Sequence, residues 1–548
     1  MIRTLRPPRR LIPLLGAALF ACAVTFVLTW PQVLQPHKVA DHYDPYFSVW
    51  RLGHIAHALT RWPIALFDGN IFYPAKNTLA YSDAMLLEGL LAAPMLWAHI
   101  SPSLAYNIVL LLGFIGSGVG MFVLARHLTG SVGAALVATT VFTAMPYRIE
   151  HLMHLELQWA MFIPLSMWAV HRTMESGQWR HGLLVGLFLW LQFLSCVYYG
   201  VFLSLTLVLF VPLLLTFKGH VEFRRFAPPL ATGAALAALL TLPYGIPYAA
   251  ASQTVGARPL DEITHYSALP ISYLATSELN RFWGWTSELY GAPELRLFPG
   301  LIALVLALGA LLHPRRRLVI LYAVMAFVVV QLSFGMNGSL YRLLLGHISA
   351  LQSFRSLARF GIFVGCALAI LSALGVQAAL ARLPWGPGAR RAFVVVAITA
   401  MLLEYSNHRI PLSFAVDAKP AEVYQALKMA SPGPIIEFPI PDADNLPGWD
   451  SYYEAWSVWH WRPLLNGYSG YYSRPYLETV HDLESFPDAA SVQKLRELNV
   501  RYVIVHRGFY ERNKYTALAI KVATTRGLSP WGVYRDPVGI ADVIEVTP

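Results

Sequence analysis

The first long apolar run of this chain, residues 11–30, is followed by Asp41-His42-Tyr43-Asp44-Pro45. Two carboxylates placed where a chain leaves hydrocarbon are expensive to keep, which argues for a task. A catalytic role is one such task. Asp44 also fits a helix cap, with Pro45 at the first helical position; a cap fixes its carboxylate in place, so the two roles are compatible. Asp83 and Glu88 flank the start of a second apolar stretch, 84–98. Asp83 suits an N-cap there, while Glu88 lies one turn later on a largely apolar surface. Residues 146–156 bring together Arg148, Glu150, His151, His154 and Glu156. On a helix His151 and His154 share a face, with Arg148 one turn earlier. His-x-x-His with a carboxylate such as Glu156 can bind a metal, and the same groups can hold a phosphate or a substrate hydroxyl. The spacing is not His-Glu-x-x-His, which excludes that metalloprotease pattern. Arg355 and Arg359, four apart at the start of another apolar run, suit a phosphate or diphosphate, or else snorkel to lipid headgroups. Near the end, Asn466 and Tyr468 in the Trp461–Tyr472 segment suit carbohydrate contact or a structural loop.

The elements that must position these groups are those of a membrane protein. Of 548 residues 56% are hydrophobic and 13% charged, about half the ~25% charged share of soluble proteins. Apolar runs long enough to span a ~30 Å hydrocarbon core recur at 11–30, 104–126, 131–147, 156–172, 181–196, 198–216, 227–249, 298–312, 318–334, 360–381 and 392–409. The expectation is a polytopic α-helical protein with about eleven spans. Stretch 84–98 is short and holds Glu88 and Pro94, so it reads as an interfacial or re-entrant helix. With it outside the count, Arg315-Arg316-Arg317 and Arg390-Arg391 fall on the N-terminal side of the membrane, together with the arginines before residue 11. That side is then the cytoplasm by the positive-inside rule, and the net charge of +10 is largely a topology signal. The N-terminal apolar run exceeds the usual length of a signal-peptide core and reads as an uncleaved span.

This topology puts 31–103, 147–156, 250–297, 335–359 and everything after 409 on the extracytoplasmic face. Asp41 and Asp44, the His151 pair, the Arg355 pair and the terminal region therefore share one compartment, and a common outer active site is expected. Residues 46–60 read as a helix with Phe47, Trp50, Leu52, Ile55 and Leu59 on an apolar face and Arg51, His54 and His57 on a polar one, lying in the interface. Asp68 and Asn70 read as turn residues. Residues 1–410 form the membrane module and 411–548 a water-soluble α/β domain, with helices near 420–430 and 490–498 and strands near 435–438, 500–505, 531–535 and 541–546. The three cysteines, Cys22, Cys196 and Cys366, offer neither a disulfide framework nor a Cys-x-x-Cys site. No Walker loop or Gly-x-Gly-x-x-Gly turn is present, and nothing calls for nucleic acid.

A long first outer loop opening on acids, a helix after them, an odd number of spans and a terminal outer domain together resemble the GT-C superfamily of membrane glycosyltransferases. The segments His151-Leu152-Met153-His154-Leu155, Phe354-Arg355-Ser356-Leu357-Ala358-Arg359-Phe360 and Asn466-Gly467-Tyr468-Ser469-Gly470-Tyr471 also resemble bacterial members of that group. The resemblance implies an essential first-loop acid, which Asp44 matches best, with Asp41 as its partner. It implies a second polar site on the next outer loop, where His151, His154 and Glu156 stand in place of the usual Asp. It further implies a polyprenyl-phosphate sugar donor, a glycan, lipid or protein acceptor, a bacterial inner-membrane location and, as the one cofactor left open, a divalent metal (Mg or Mn). A lipid-linked sugar flippase and a non-catalytic envelope assembly protein are the rival readings.

Overall fold

The computed structural model describes residues 11–40, 43–218, 223–382, 384, 386–413, 416, 419–442 and 445–547; Asp41 lies outside them. The chain divides into two compact units. One comprises Met1–Gln35, Ile108–Pro243 and Ala257–Pro411; the other comprises Pro36–Asn107, Tyr244–Gly256 and Leu412–Pro548.

The first unit is helical. Each of the eleven apolar runs falls on a helix: Leu11–Leu28, Pro102–Thr129, Val132–Ala144, Phe162–Ser176, Trp179–Ser195, Val197–Lys218, Phe223–Val255, Leu301–Leu308, Arg316–Ser333, Gly361–Arg382 and Pro387–Glu404. An 18-residue helix rises about 27 Å, close to the hydrocarbon thickness. Among the described residues six helices are both long and apolar enough to cross a membrane, and Ile12–Leu28, Leu86–Trp97 and Leu301–Leu312 are apolar but shorter. Gly361–Arg382 is buried on nearly every side. It packs against Val132–Ala144, Leu301–Leu308 and Arg316–Ser333. Small residues set these approaches. A Cβ on Gly375 would overlap the Leu306 carbonyl, and Gly182 and Gly186 lie against the backbones of Pro229 and Gly233. Between membrane helices, where water supplies no driving force, such small-x-x-x-small faces let backbones meet.

The second unit is built on a four-stranded sheet in the order Ile435–Phe438, Tyr502–His506, Gly539–Val546, Leu528–Asp536. The first pair is parallel and the other two are antiparallel. A parallel pair needs a crossover, and the connection here carries the helices Asp450–Ser457, Arg474–Leu483 and Ala489–Glu497. The strands near 435, 502, 531 and 541 and the helices near 422 and 489 match the sequence reading; the helices Asp450–Ser457, Arg474–Leu483 and Arg512–Thr524 add to it. First-loop residues belong to the same unit. The helix Tyr43–Ala58 packs on Leu86–Trp97 and Asp450–Ser457, and Val39–Ala40 pairs with Leu412–Ser413. The Tyr43 helix departs from the expected half-polar interfacial helix. Arg51 and His54 are buried along with Trp50 and Ile55. Arg51 donates to the Asp83 carbonyl and to Ser48 Oγ, both at 2.8 Å, and His54 Nε2 lies 2.9 Å from the Leu66 carbonyl. Each polar head is satisfied by the loop folded over it, which is what permits its burial. Asp68 Oδ1 accepts the Asn77 amide at 2.9 Å, in keeping with its turn role. Asn70 instead takes the Trp50 indole N–H at 2.9 Å and donates to Ser457 Oγ at 3.1 Å.

Inside the sheet, fully buried His506 sits between Glu437 and Asp536, 2.6 Å from each. Burial alone would lower its pKa, but hydrogen bonds to Asp536 and Glu437 and their charges raise it to about 9. A histidine raised in the fold stabilises fully below its unfolded value and loses that contribution as pH rises through its folded one. The unfolding midpoint should therefore fall between pH 6.5 and 9 by the equivalent of about 3 kcal/mol. Thermal melts of wild type and His506→Gln across that window check this: the gap between the two should shrink as pH rises. A constant gap would show that His506 is neutral in the fold.

Candidate functional site

Two constellations of polar side chains stand out, one in each unit. In the second unit Asp44 is the second residue of the helix Tyr43–Ala58 and is partly exposed. It does not cap that helix, but a carboxylate in the first turn is favoured by the helix dipole. Asp44 Oδ1 accepts the Tyr468 hydroxyl at 2.9 Å. The Tyr468 ring is wedged edge-on against Phe47, with centroids 5.4 Å apart. Its backbone is pinned from behind, because the Tyr468 amide donates to Glu454 Oε1 at 2.5 Å. Glu454 and Asp450 lie one turn apart on the helix Asp450–Ser457, and neither is exposed. Burial, reinforced by Asp450, raises Glu454 well above the ordinary carboxylate range. Burial also raises Asp450 to about 7. Tyr476 and Asn466 donate to Asp450 at 2.6 and 3.0 Å. Gly467 is obligatory here, since a Cβ would run into the Phe72 ring.

Asn466 is not presented to a ligand as the sequence reading had it. Its amide nitrogen donates to Asp450 and to the Glu437 carbonyl, and its oxygen accepts the Glu437 amide at 2.7 Å; the side chain is spent on bracing the loop. Asp83 likewise is not a cap. The helix Leu86–Trp97 starts from Met85, which is left-handed with φ 54°. Glu88 is fully buried in that helix's first turn. Both acids lie within electrostatic reach of Tyr244, and Tyr248 tethers the loop between them by donating to the Ser82 carbonyl at 3.1 Å and accepting the Ala84 amide at 3.0 Å.

In the first unit the expected helical His-x-x-His face does not form. The helix ends at Glu150, and His151–His154 is a turn before a 3-10 segment, Leu155–Gln158. Gln158 folds the chain back by donating to the His151 carbonyl at 2.5 Å. Arg148 consequently points elsewhere, donating to the Gln158 carbonyl at 3.0 Å with its guanidinium over Phe114. The two imidazoles still come together, with ring centroids 5.9 Å apart. The partner of His154 is a residue that sequence reasoning missed, Glu294. His154 Nε2 is 3.4 Å from Glu294 Oε1, Arg359 Nη2 is 2.8 Å from the same oxygen, and Ser356 Oγ donates to Oε2 at 2.5 Å. Glu294 holds a left-handed backbone, φ 66°, a strain of about 1–3 kcal/mol that surroundings must over-determine. Burial opposes its ionisation, but Arg359 and His154 hold its carboxyl well below the usual range.

His151 is 1% exposed, and neither ring nitrogen has a hydrogen-bond partner among the described residues. Burial pushes it down to about 3 against the pull of Glu294, so a neutral imidazole stands beside the ion pair. Glu156 is buried within electrostatic reach of Arg359. Arg355 is less buried and shares Glu262 with Arg258, at 3.0 and 2.9 Å. The guanidiniums of Arg355 and Arg359 lie over the rings of Tyr266 and Tyr198.

Among the described residues no three His, Cys, Asp or Glu side chains gather as ligands, and the place beside Glu294 is taken by a guanidinium.

No protein-family model and no curated protein matches the sequence. Solved structures do match in fold. The archaeal oligosaccharyltransferase AglB from Archaeoglobus fulgidus, in complex with an inhibitory peptide and a dolichol-phosphate, is similar with a TM-score of 0.53 and 12% identity, over 97% of this chain and 73% of its own. ArnT from Cupriavidus metallidurans, bound to undecaprenyl phosphate, is similar with a TM-score of 0.51 and 14% identity, over 97% of this chain and 98% of its own. This chain shares its fold with these two structures over nearly its whole length.

Proposed function

We propose that the protein transfers a sugar from a polyprenyl-phosphate donor to an acceptor hydroxyl on the extracytoplasmic face of the bacterial inner membrane, with inversion. The observation that carries this reading is a fold shared, over nearly the whole chain, with two glycosyltransferase structures that hold lipid phosphates. Asp44 is the general base. Its carboxylate takes the acceptor O–H proton as the oxygen attacks the anomeric carbon, and the bond from that carbon to the phosphate oxygen breaks. The lipid phosphate leaves with that electron pair. Arg355 and Arg359 are the groups suited to its charge, and the neutral His151 ring can hydrogen-bond a phosphate or sugar oxygen. Asp83, Glu88, His154 and Glu156 remain candidates for sugar contact. The N-terminus is assigned to the cytoplasm and residues 411–548 to the outside.

Tyr468 fixes the carboxylate that must meet the hydroxyl. Tyr468→Phe should lower kcat about tenfold and leave KM for the donor nearly unchanged, the signature of a group acting on the reaction step; a hydrogen bond to a charged group is worth about 1.5–3 kcal/mol. Steady-state kinetics on the two forms check it. The reading as a whole is tested with purified protein in nanodiscs, radiolabelled polyprenyl-phosphate sugar and membrane extract as the acceptor source. Label should leave the lipid for a new product. Label that stays on the lipid, and in sealed vesicles only changes leaflet, would identify a flippase.

A further inference from the structure

At the far end of the first unit from Glu294 lies a cavity of about 600 Å³. Helix Gly361–Arg382 measures the separation. It begins next to Arg359 and carries, sixteen residues later, Gln377, which bonds His313 and the Thr129 carbonyl. At 1.5 Å per residue the two ends are about 24 Å apart. The cavity is bordered by two kinds of residue. Its lining includes the basic Arg315, Arg316 and Arg317 and the apolar Leu214, Phe217 and Leu321. Arg315 is anchored, donating to the Leu128 carbonyl at 2.9 Å. None of the three arginines has a carboxylate partner among the described residues. The one acid in the lining, Glu175, is already engaged by His127 at 3.2 Å and Arg172 at 3.5 Å.

Arginines at a membrane boundary commonly serve only to orient the chain and snorkel to the surface. That role needs no cavity and no apolar lining. Here three unneutralised guanidiniums, whose forked donors match phosphate oxygens, border a space lined by leucine and phenylalanine. A ligand that satisfies both kinds of residue is anionic at one end and hydrocarbon at the other. Basic pockets between membrane helices recognise lipid headgroups by this combination. We propose that this cavity binds the headgroup of an anionic, phosphate-bearing lipid, at a site separate from the candidate catalytic residues. The inference does not depend on the glycosyltransferase reading.

Native mass spectrometry of the full-length protein tests it, with phosphatidylglycerol, undecaprenyl phosphate and zwitterionic phosphatidylcholine as probes. Phosphatidylglycerol should be retained at least tenfold more tightly than phosphatidylcholine. Replacing all three arginines by glutamine should remove that preference. Because the arginines also help set topology, Leu214→Trp is the second variant: it keeps every charge and fills the cavity, and it should weaken phosphatidylglycerol binding by a similar factor. Displacement of phosphatidylglycerol by undecaprenyl phosphate would point to the carrier lipid as occupant, and resistance to displacement to bulk phospholipid. Equal retention of phosphatidylglycerol and phosphatidylcholine, or wild-type binding in the Leu214→Trp protein, overturns the proposal.

Discussion

Asp44→Asn is expected to reduce sugar transfer by about 10²–10⁴-fold, the range a positioned general base supplies. The substitution keeps the shape of the side chain and leaves one oxygen to accept the Tyr468 hydroxyl, 2.9 Å away in the native protein. It removes the carboxylate's capacity to take a proton. Asp44 is partly exposed, so no large packing loss accompanies the change. Protein yield, membrane insertion and the unfolding midpoint should stay near wild type while kcat falls. Donor KM should change little, because the loss lies in the reaction step. Asp44→Glu is the informative companion. It restores a carboxylate but moves it by a methylene from the place that Tyr468 and Phe47 define, so it should recover only part of the rate.

The largest expected effect on stability is at Glu294. Glu294→Gln leaves the Arg359 guanidinium buried, 6% exposed, without the carboxylate it touches. Removing one partner of a buried pair costs about 3–5 kcal/mol. Removing both is much milder, so the double variant Glu294→Gln, Arg359→Met should be more stable than Glu294→Gln alone. Denaturation of the four proteins in one detergent gives the full cycle. Additive losses would show that the 2.8 Å contact between these residues carries no coupling.

The helices of the first unit could be read from the chain because apolar run length and basic clusters are local properties, and each of the eleven runs is helical in the structure. Asp44 stands out in the sequence for a similar reason, as a charge shortly after an apolar span. What escaped was long-range. Glu294 sits in a polar segment without periodicity, and its meaning appears only when Arg359, 65 residues on, folds back on it. The one hint was the excess of arginine at 355 and 359, which called for a counter-charge that the sequence does not locate. Tyr468 meets Asp44 across 424 residues, so the partnership of first loop and terminal sheet lies outside any window of sequence. Arg148 was misplaced by extrapolating one helix through 146–156, where Gln158 bends the chain at His151. Asn466 looked like a sugar contact because nothing local shows that Glu437 and Asp450 consume its amide.

The central claim is a one-step displacement in which Asp44 activates the acceptor hydroxyl. Its most direct test is the anomeric configuration of the product, read by NMR from transfer with a donor of known linkage to the lipid phosphate. One displacement predicts that the product carries the opposite configuration to the donor. A product that retains the donor's configuration would contradict the account, because retention needs a second displacement and a nucleophile where we assign a base.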